Sequence, residues 1–179
     1  IRDRINPTWN VPGSIGTKEY LPLLKKDPNA VGHLRIVDSR GLTVSRSAAN
    51  FGEYSAETFP FSIKQPPSNS NALGLVKFMF PNRHNIYLHD TPAKNLFSRE
   101  VRAYSHGCIR LHQPFEVAYA LLAKQTSDPK GLFQSKLSTG AETRVERNDP
   151  VAVPLVYRTA FCRAKRSGNF RRGADGLDG

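Results

Sequence analysis

The sequence predicts a β-rich domain with many loops and few helices. Three observations carry that expectation. Only 39% of residues are hydrophobic, 13 glycines and 13 prolines punctuate the chain, and most apolar runs are short. At 179 residues there is material for one domain with a real core.

The first 16 residues read as extended structure and turns, because Asn6-Pro7-Thr8-Trp9-Asn10-Val11-Pro12-Gly13 cannot sustain a helix. Trp9 is expected to be a packing anchor. Thr17 is placed to cap a helix running to about Lys26, stopped by Asp27-Pro28 and kinked by Pro22. Leu34 to Val44 reads as a hairpin turning at Asp38-Ser39-Arg40-Gly41. Residues 45–74 are polar and interrupted, loosest at 65–71, and a connection of that length suggests a loop covering a substrate, with a plain surface loop as the alternative.

Val76, Phe78 and Phe80 alternate with Lys77 and Met79, the pattern of a half-buried strand, and Ile86 to His89 reads as its partner. Ala93 to Ser98 fits one helical turn. Pro114 opens the clearest helix, with Phe115, Ala118, Tyr119 and Leu122 on one face and an end near 126–129. Residues 132–149 show no pattern, and Val151 to Tyr157 resembles a last strand, with Pro154 at an edge or bulge. From Cys162 the composition turns basic and glycine-rich, as in a frayed tail.

Lys and Arg number 26 against 15 Asp and Glu, a formal charge of +11. The cations are dispersed, and no zinc-finger spacing or aromatic RNA-binding signature accompanies them, so a nucleic-acid partner is not expected. An anionic polymer such as a cell wall would attract the same surface. Cys108 and Cys162 are too few for a disulfide framework. No apolar run is long enough to span a bilayer, and no signal peptide is visible at Ile1.

The chemistry concentrates in Ser105-His106-Gly107-Cys108-Ile109-Arg110-Leu111, with Ile86-Tyr87-Leu88-His89-Asp90-Thr91-Pro92 upstream. A cysteine attacks as thiolate, which a nearby base or cation must favour, and His89, His106 and Arg110 all qualify. A strand-end His89 would be held rigidly, as suits a base. Gly107 lets the backbone approach a substrate and could aim amides at an oxyanion, while Ser105 could fix a histidine tautomer. The plain alternative is a small buried cysteine beside loop residues. Zinc binding by His84, His89, His106, Cys108 and His112 is a further rival, although no pair has the usual ligand spacing.

These motifs, in this order, resemble the catalytic domain of YkuD-type L,D-transpeptidases. Asn6 to Pro12, Asn71 to Asn82 and Tyr87 to Pro92 are similar to the large Gram-negative periplasmic branch, and the likeness covers about residues 6–160. The resemblance implies a mainly β fold, a mixed β-sandwich or barrel-like domain with a few short helices. It places a domain over 1–160, a substrate-capping insertion over 13–70 and a basic, disordered tail over 161–179. It also implies that the family's strands before Asn6 are missing, so that the chain is an N-terminally incomplete domain. The tail does not match the family's usual continuation.

The implied reaction is attack of Cys108 on the carbonyl of the third stem-peptide residue of peptidoglycan, usually meso-diaminopimelate, with loss of D-alanine. The thioester then passes to a side-chain amine of another stem, giving a 3→3 cross-link. By position, His89 would be the base, oriented by the carbonyl of Asp90. Ser105 and His106 would support the site, and Gly107 with Cys108 would supply oxyanion amides. Arg110, Tyr87 and Asn85 would meet substrate, Arg110 having mainly an ordering role. No cofactor or metal is implied, the location would be periplasmic, and carbapenems would acylate the enzyme. The alternatives are L,D-carboxypeptidase, attachment of a lipoprotein to the wall, and a silent wall-binding module.

Overall fold

The computed structural model describes residues 2–105, 107–149 and 151–156, and the backbone of 160–162 and 168–170. The chain opens with β1 (Arg2–Ile5) and turns through Asn6 into β2 (Trp9–Asn10). A helical stretch follows: α1 (Gly13–Ile15), a π-helical turn (Gly16–Tyr20) and α2 (Leu21–Lys26). The expected helix is therefore present but starts before Thr17, whose hydroxyl donates back to the Gly13 carbonyl at 3.0 Å. The wide turn sits immediately before Pro22, whose missing N–H cannot complete a regular α ladder.

The hairpin then forms as β3 (Arg35–Val37) with a single bridge from Val37 to Thr43. Asp38 ties its turn by accepting from the N–H groups of Arg40 and Leu42, and Gly41 takes φ +81°. Residues 45–74 are not one loose connection. They contain β4 (Ser62–Gln65), the central strand of a three-stranded sheet in the order β2-β4-β3. The stretch 65–71, expected to be loosest, is closed by the fully buried Asn71, whose amide donates to the carbonyls of Pro7, Gln65 and Pro66. Leu21, Leu24, Leu34, Ile36, Phe51 and Ile63 form the core of this unit.

The second sheet has five strands: β1, β5 (Val76–Met79), β6 (Leu88–His89), β7 (Ile109–Arg110) and β8 (Thr143–Val145), in the order β7-β6-β5-β1-β8. β5 lies in its middle, so Val76, Lys77 and Phe78 are all buried, where the alternating pattern had suggested one wet face. A 3-10 turn at Lys94–Ser98 matches the short helical expectation. Helix α3 (Pro114–Leu122) buries Ala118 and Leu122 against Ile5, Val76 and Phe78.

Helix α3 ends earlier than expected because Thr126 to Asp128 begin another helix, α4 (Pro129–Leu137). Asp128 caps it by accepting from Gly131 N–H at 2.8 Å, and Phe133 joins the same core. Residues 151–156 form no strand, and Leu155 and Val156 are exposed. Two short strands, β9 (Ala160–Cys162) and β10 (Gly168–Phe170), pair with each other where a frayed tail was expected. Tyr157, His106 and the rest of the 161–179 stretch lie outside the described residues. A five-stranded and a three-stranded sheet, the β9–β10 pair and short helices agree with the mainly β class read from the sequence.

Candidate active site

Register decides which side chains meet. Across the five-stranded sheet, Arg110 lies opposite His89, His89 opposite Lys77, Lys77 opposite Arg4, and Arg4 opposite Arg144. Residues opposed in a ladder share a face, and so do residues two apart on one strand. Tyr87 and Cys108 therefore stand on that same face, one step along from His89 and Arg110. The other face, with Leu88, Phe78 and Val145, packs on helices α3 and α4. The sheet thus separates core from chemistry.

Over the chemical face lies a cavity of about 560 Å³, lined by His89, Tyr87, Asn85, Ser105, Gly107, Cys108 and Arg110. Its opposite wall is Trp9 to Pro12, with Ser14, Ile15, Glu19 and Tyr20 from the helical segment. A second cavity of about 330 Å³, walled by Leu96, Phe97 and Arg102, meets the first at Tyr104, Ser105, Cys108 and Arg110. Cys108, a half-buried free thiol, sits where the two join.

His89 is buried, and its Nδ1 hydrogen-bonds the Asp90 carbonyl. A carbonyl only accepts, so Nδ1 carries the proton and Nε2 is left as an acceptor. Burial, with Arg110 and Lys77 adding to it, holds the imidazole below its ordinary pKa, although the Asp90 contact opposes the shift. The ring is thereby a neutral base.

Asp90 is in turn immobilised. Its N–H donates to Val76 O at 2.9 Å, Oδ2 accepts from Leu75 N–H at 2.9 Å, and Oδ1 accepts from Lys94 Nζ at 2.6 Å. Gly74, at φ +60°, makes room for this carboxylate, since a Cβ there would lie 2.3 Å from Asp90 Oδ2.

Ser105 holds the turn that carries the thiol. Its hydroxyl donates to the Cys108 carbonyl at 2.6 Å and accepts from Gly107 N–H at 3.2 Å. It thereby engages the Gly107 amide, one of two expected to face an oxyanion. Gly107 has φ +136°, a conformation only glycine adopts readily. Tyr87 stacks edge-on to His89 with ring centroids 5.9 Å apart. Burial, then the charge and hydrogen bonding of the Cys108 sulfur, push its phenol well above the ordinary value, so it stays a donor. Asn85 is exposed at φ +53°, in a turn organised by Asn82, whose Oδ1 accepts from the N–H groups of His84 and Ile86.

Sequence reasoning missed Lys77, Lys94 and Gly74. Lys94 stands four residues after Asp90, the one local hint available. Among the described residues, no three His, Cys, Asp or Glu side chains gather as a metal site, and no helix is long and apolar enough to cross a membrane.

A buried strand-end histidine tied to the next carbonyl, beside a free cysteine on a glycine turn, defines a cysteine–histidine site on a mixed sheet. The model of the L,D-transpeptidase catalytic domain, YkuD, matches residues 2–151, and the chain belongs to that family. It is 36% identical over 162 residues to a Haemophilus influenzae protein named "Putative L,D-transpeptidase", covering 88% of this chain and 32% of that protein. The chain thus spans about a third of the relative's length.

Proposed function

We propose that this chain is the catalytic unit of a cysteine-dependent L,D-transpeptidase acting on peptidoglycan stem peptides. His89 Nε2 takes the Cys108 proton, and Sγ attacks the carbonyl carbon of the third stem residue. Cys108 N–H, with the less free Gly107 N–H, stabilises the oxyanion. Collapse breaks the amide bond, His89 returns the proton to the departing D-alanine amine, and a thioester remains. A side-chain amine of a second stem then attacks, loses its proton to His89, and releases the thiol with a 3→3 cross-link. Water in place of the amine gives carboxypeptidase activity instead.

The observation that carries this reading is the position of Cys108 at the junction of two cavities, beside a histidine with its tautomer set. A transfer reaction needs room for both donor and acceptor at one sulfur, and two chambers supply it. In this reading the unit built on β2, β3 and β4 caps the donor chamber. Arg110 meets a substrate carboxylate or orders the wall, Tyr87 and Asn85 contact the stem, and Ser105 and His106 support the turn. The surplus of 11 positive charges suits an anionic cell wall, and hence a periplasmic location.

Incubation with a carbapenem followed by intact-mass analysis tests the nucleophile. One adduct on wild type and none on Cys108→Ala is expected; an adduct that survives the substitution overturns the reading.

A further inference from the structure

Lys77 is a buried ionisable group that the mechanism leaves unused. Lys77 is only 6% exposed, yet it sits in the middle of the sheet, directly opposite His89. Lysine is rarely buried to this extent, because removing its ammonium from water is costly unless the charge has a purpose or a partner. Its Nζ lies over the Tyr87 ring, 5.3 Å from the centroid, and Tyr87 and Cys108 each precede the paired Leu88 and Ile109 and line the same cavity. The ammonium, the ring and the thiol therefore stand in series on one face.

We propose that Lys77 is a positioning residue of this site, a fixed buried cation that acts through Tyr87 to favour the thiolate of Cys108. The proposal rests on the reading of Cys108 as nucleophile. An ammonium behind a phenol polarises its O–H toward the sulfur and adds its own field in a medium less screening than water. The facing groups are His89 on β6 and Tyr87 just before it, Arg110 on β7 and Cys108 just before it, Arg4 on β1, and Glu142 ahead of β8. Glu19, Tyr20, Tyr104 and His84 line the cavity beyond them. Burial lowers the Lys77 pKa, with Arg4 adding to it, while Glu142 and the Cys108 sulfur favour the lysine charge. Glu142 is itself engaged by Arg4 at 3.0 Å and by Thr8 N–H at 3.2 Å. The sulfur is the second anion that favours the lysine charge, and the one that stands in the cavity. Lys77 also disfavours protonation of His89, which makes the imidazolium a stronger acid toward the leaving amine.

The test is the pH dependence of Cys108 alkylation by iodoacetamide, followed by peptide mass mapping on the full-length protein. Lys77→Met should raise the alkylation midpoint by about one pH unit or more, the usual scale for a nearby charge. Lys77→Arg, which keeps the charge, should return it toward wild type. Equal midpoints for wild type and a folded Lys77→Met overturn the proposal. Should Lys77→Met not fold, the wild type suffices. Coupling is reciprocal, so neutralising Cys108 with iodoacetamide should lower the Lys77 titration midpoint read from its ¹³Cε resonance, and an unchanged midpoint overturns the proposal. Failure of the nucleophile reading is recognised separately, as turnover that survives Cys108→Ala.

Discussion

Lys94 fastens Asp90 to the far side of the site. Its ammonium donates to Asp90 Oδ1 at 2.6 Å, to Leu111 O at 3.1 Å and to His112 O at 3.0 Å. One half-exposed cation thus joins the residue after the β6 histidine to the chain leaving β7. Lys94→Ala strands a carboxylate that is 9% exposed together with two carbonyls. We expect it to destabilise the protein by roughly 1–2 kcal/mol, the scale of lost hydrogen bonds to charged groups, discounted for the exposure of Lys94. Activity should fall more than stability implies, because Asp90 orients His89. Urea denaturation alongside turnover checks both.

Gly74 protects the same carboxylate. Gly74→Ala forces a left-handed backbone on alanine and drives its methyl to within 2.3 Å of Asp90 Oδ2. Gly140 has a similar φ, +65°, with nothing within 4 Å of the added carbon, so Gly140→Ala carries the backbone term alone. That term is about 1–2 kcal/mol, and Gly74→Ala should exceed it. Equal losses in the two variants, measured by chemical denaturation, would remove the steric account.

Acid should weaken the fold partly through His89. Burial holds its folded pKa below the unfolded value of about 6.5. Below that pH the unfolded chain binds a proton that the folded site resists. Stability from this group is therefore intact above 6.5 and is lost as pH falls through the folded pKa. Melting temperatures at pH 7 and pH 5 should diverge more for wild type than for His89→Gln, and parallel changes would contradict the assignment.

Asp3 and Arg147 form an ion pair buried on both sides, with Asp3 Oδ1 and Arg147 Nε left without partners among the described residues. Burial outweighs the guanidinium and raises the Asp3 pKa. The cost of ionising it therefore appears as pH rises from about 3.8 through the folded value, and is already present at neutrality. Arg147→Met alone should destabilise by about 3–5 kcal/mol, whereas Asp3→Leu with Arg147→Met should be neutral or stabilising. Thermal melts of the single and double variants decide it.

Much of the site was legible beforehand because its chemistry is local. Cys108, Gly107 and Ser105 fall within four residues, and His89 and Asp90 are adjacent. Helix α3 announced itself through Pro114 and one apolar face. What escaped depended on tertiary partners. β4 is four residues between prolines, too short for periodicity to register, yet it becomes the centre of its sheet through β2 and β3. Helix α4 was hidden because Asp128-Pro129, a cap and a first-turn proline, also reads as the stop of α3. Lys77 looked like the wet face of a half-buried strand, and only the neighbouring strands and the cavity wall bury it.

The central claim is that Cys108 and His89 perform acyl transfer together. Its most direct measurement is D-alanine release from a disaccharide tetrapeptide by full-length wild type, Cys108→Ala and His89→Gln, with a cross-linked dimer as the second product. The account predicts release and dimer for wild type, none for Cys108→Ala, and a loss of about 10²-fold or more for His89→Gln, the scale of general-base catalysis. Undiminished release by Cys108→Ala would contradict it.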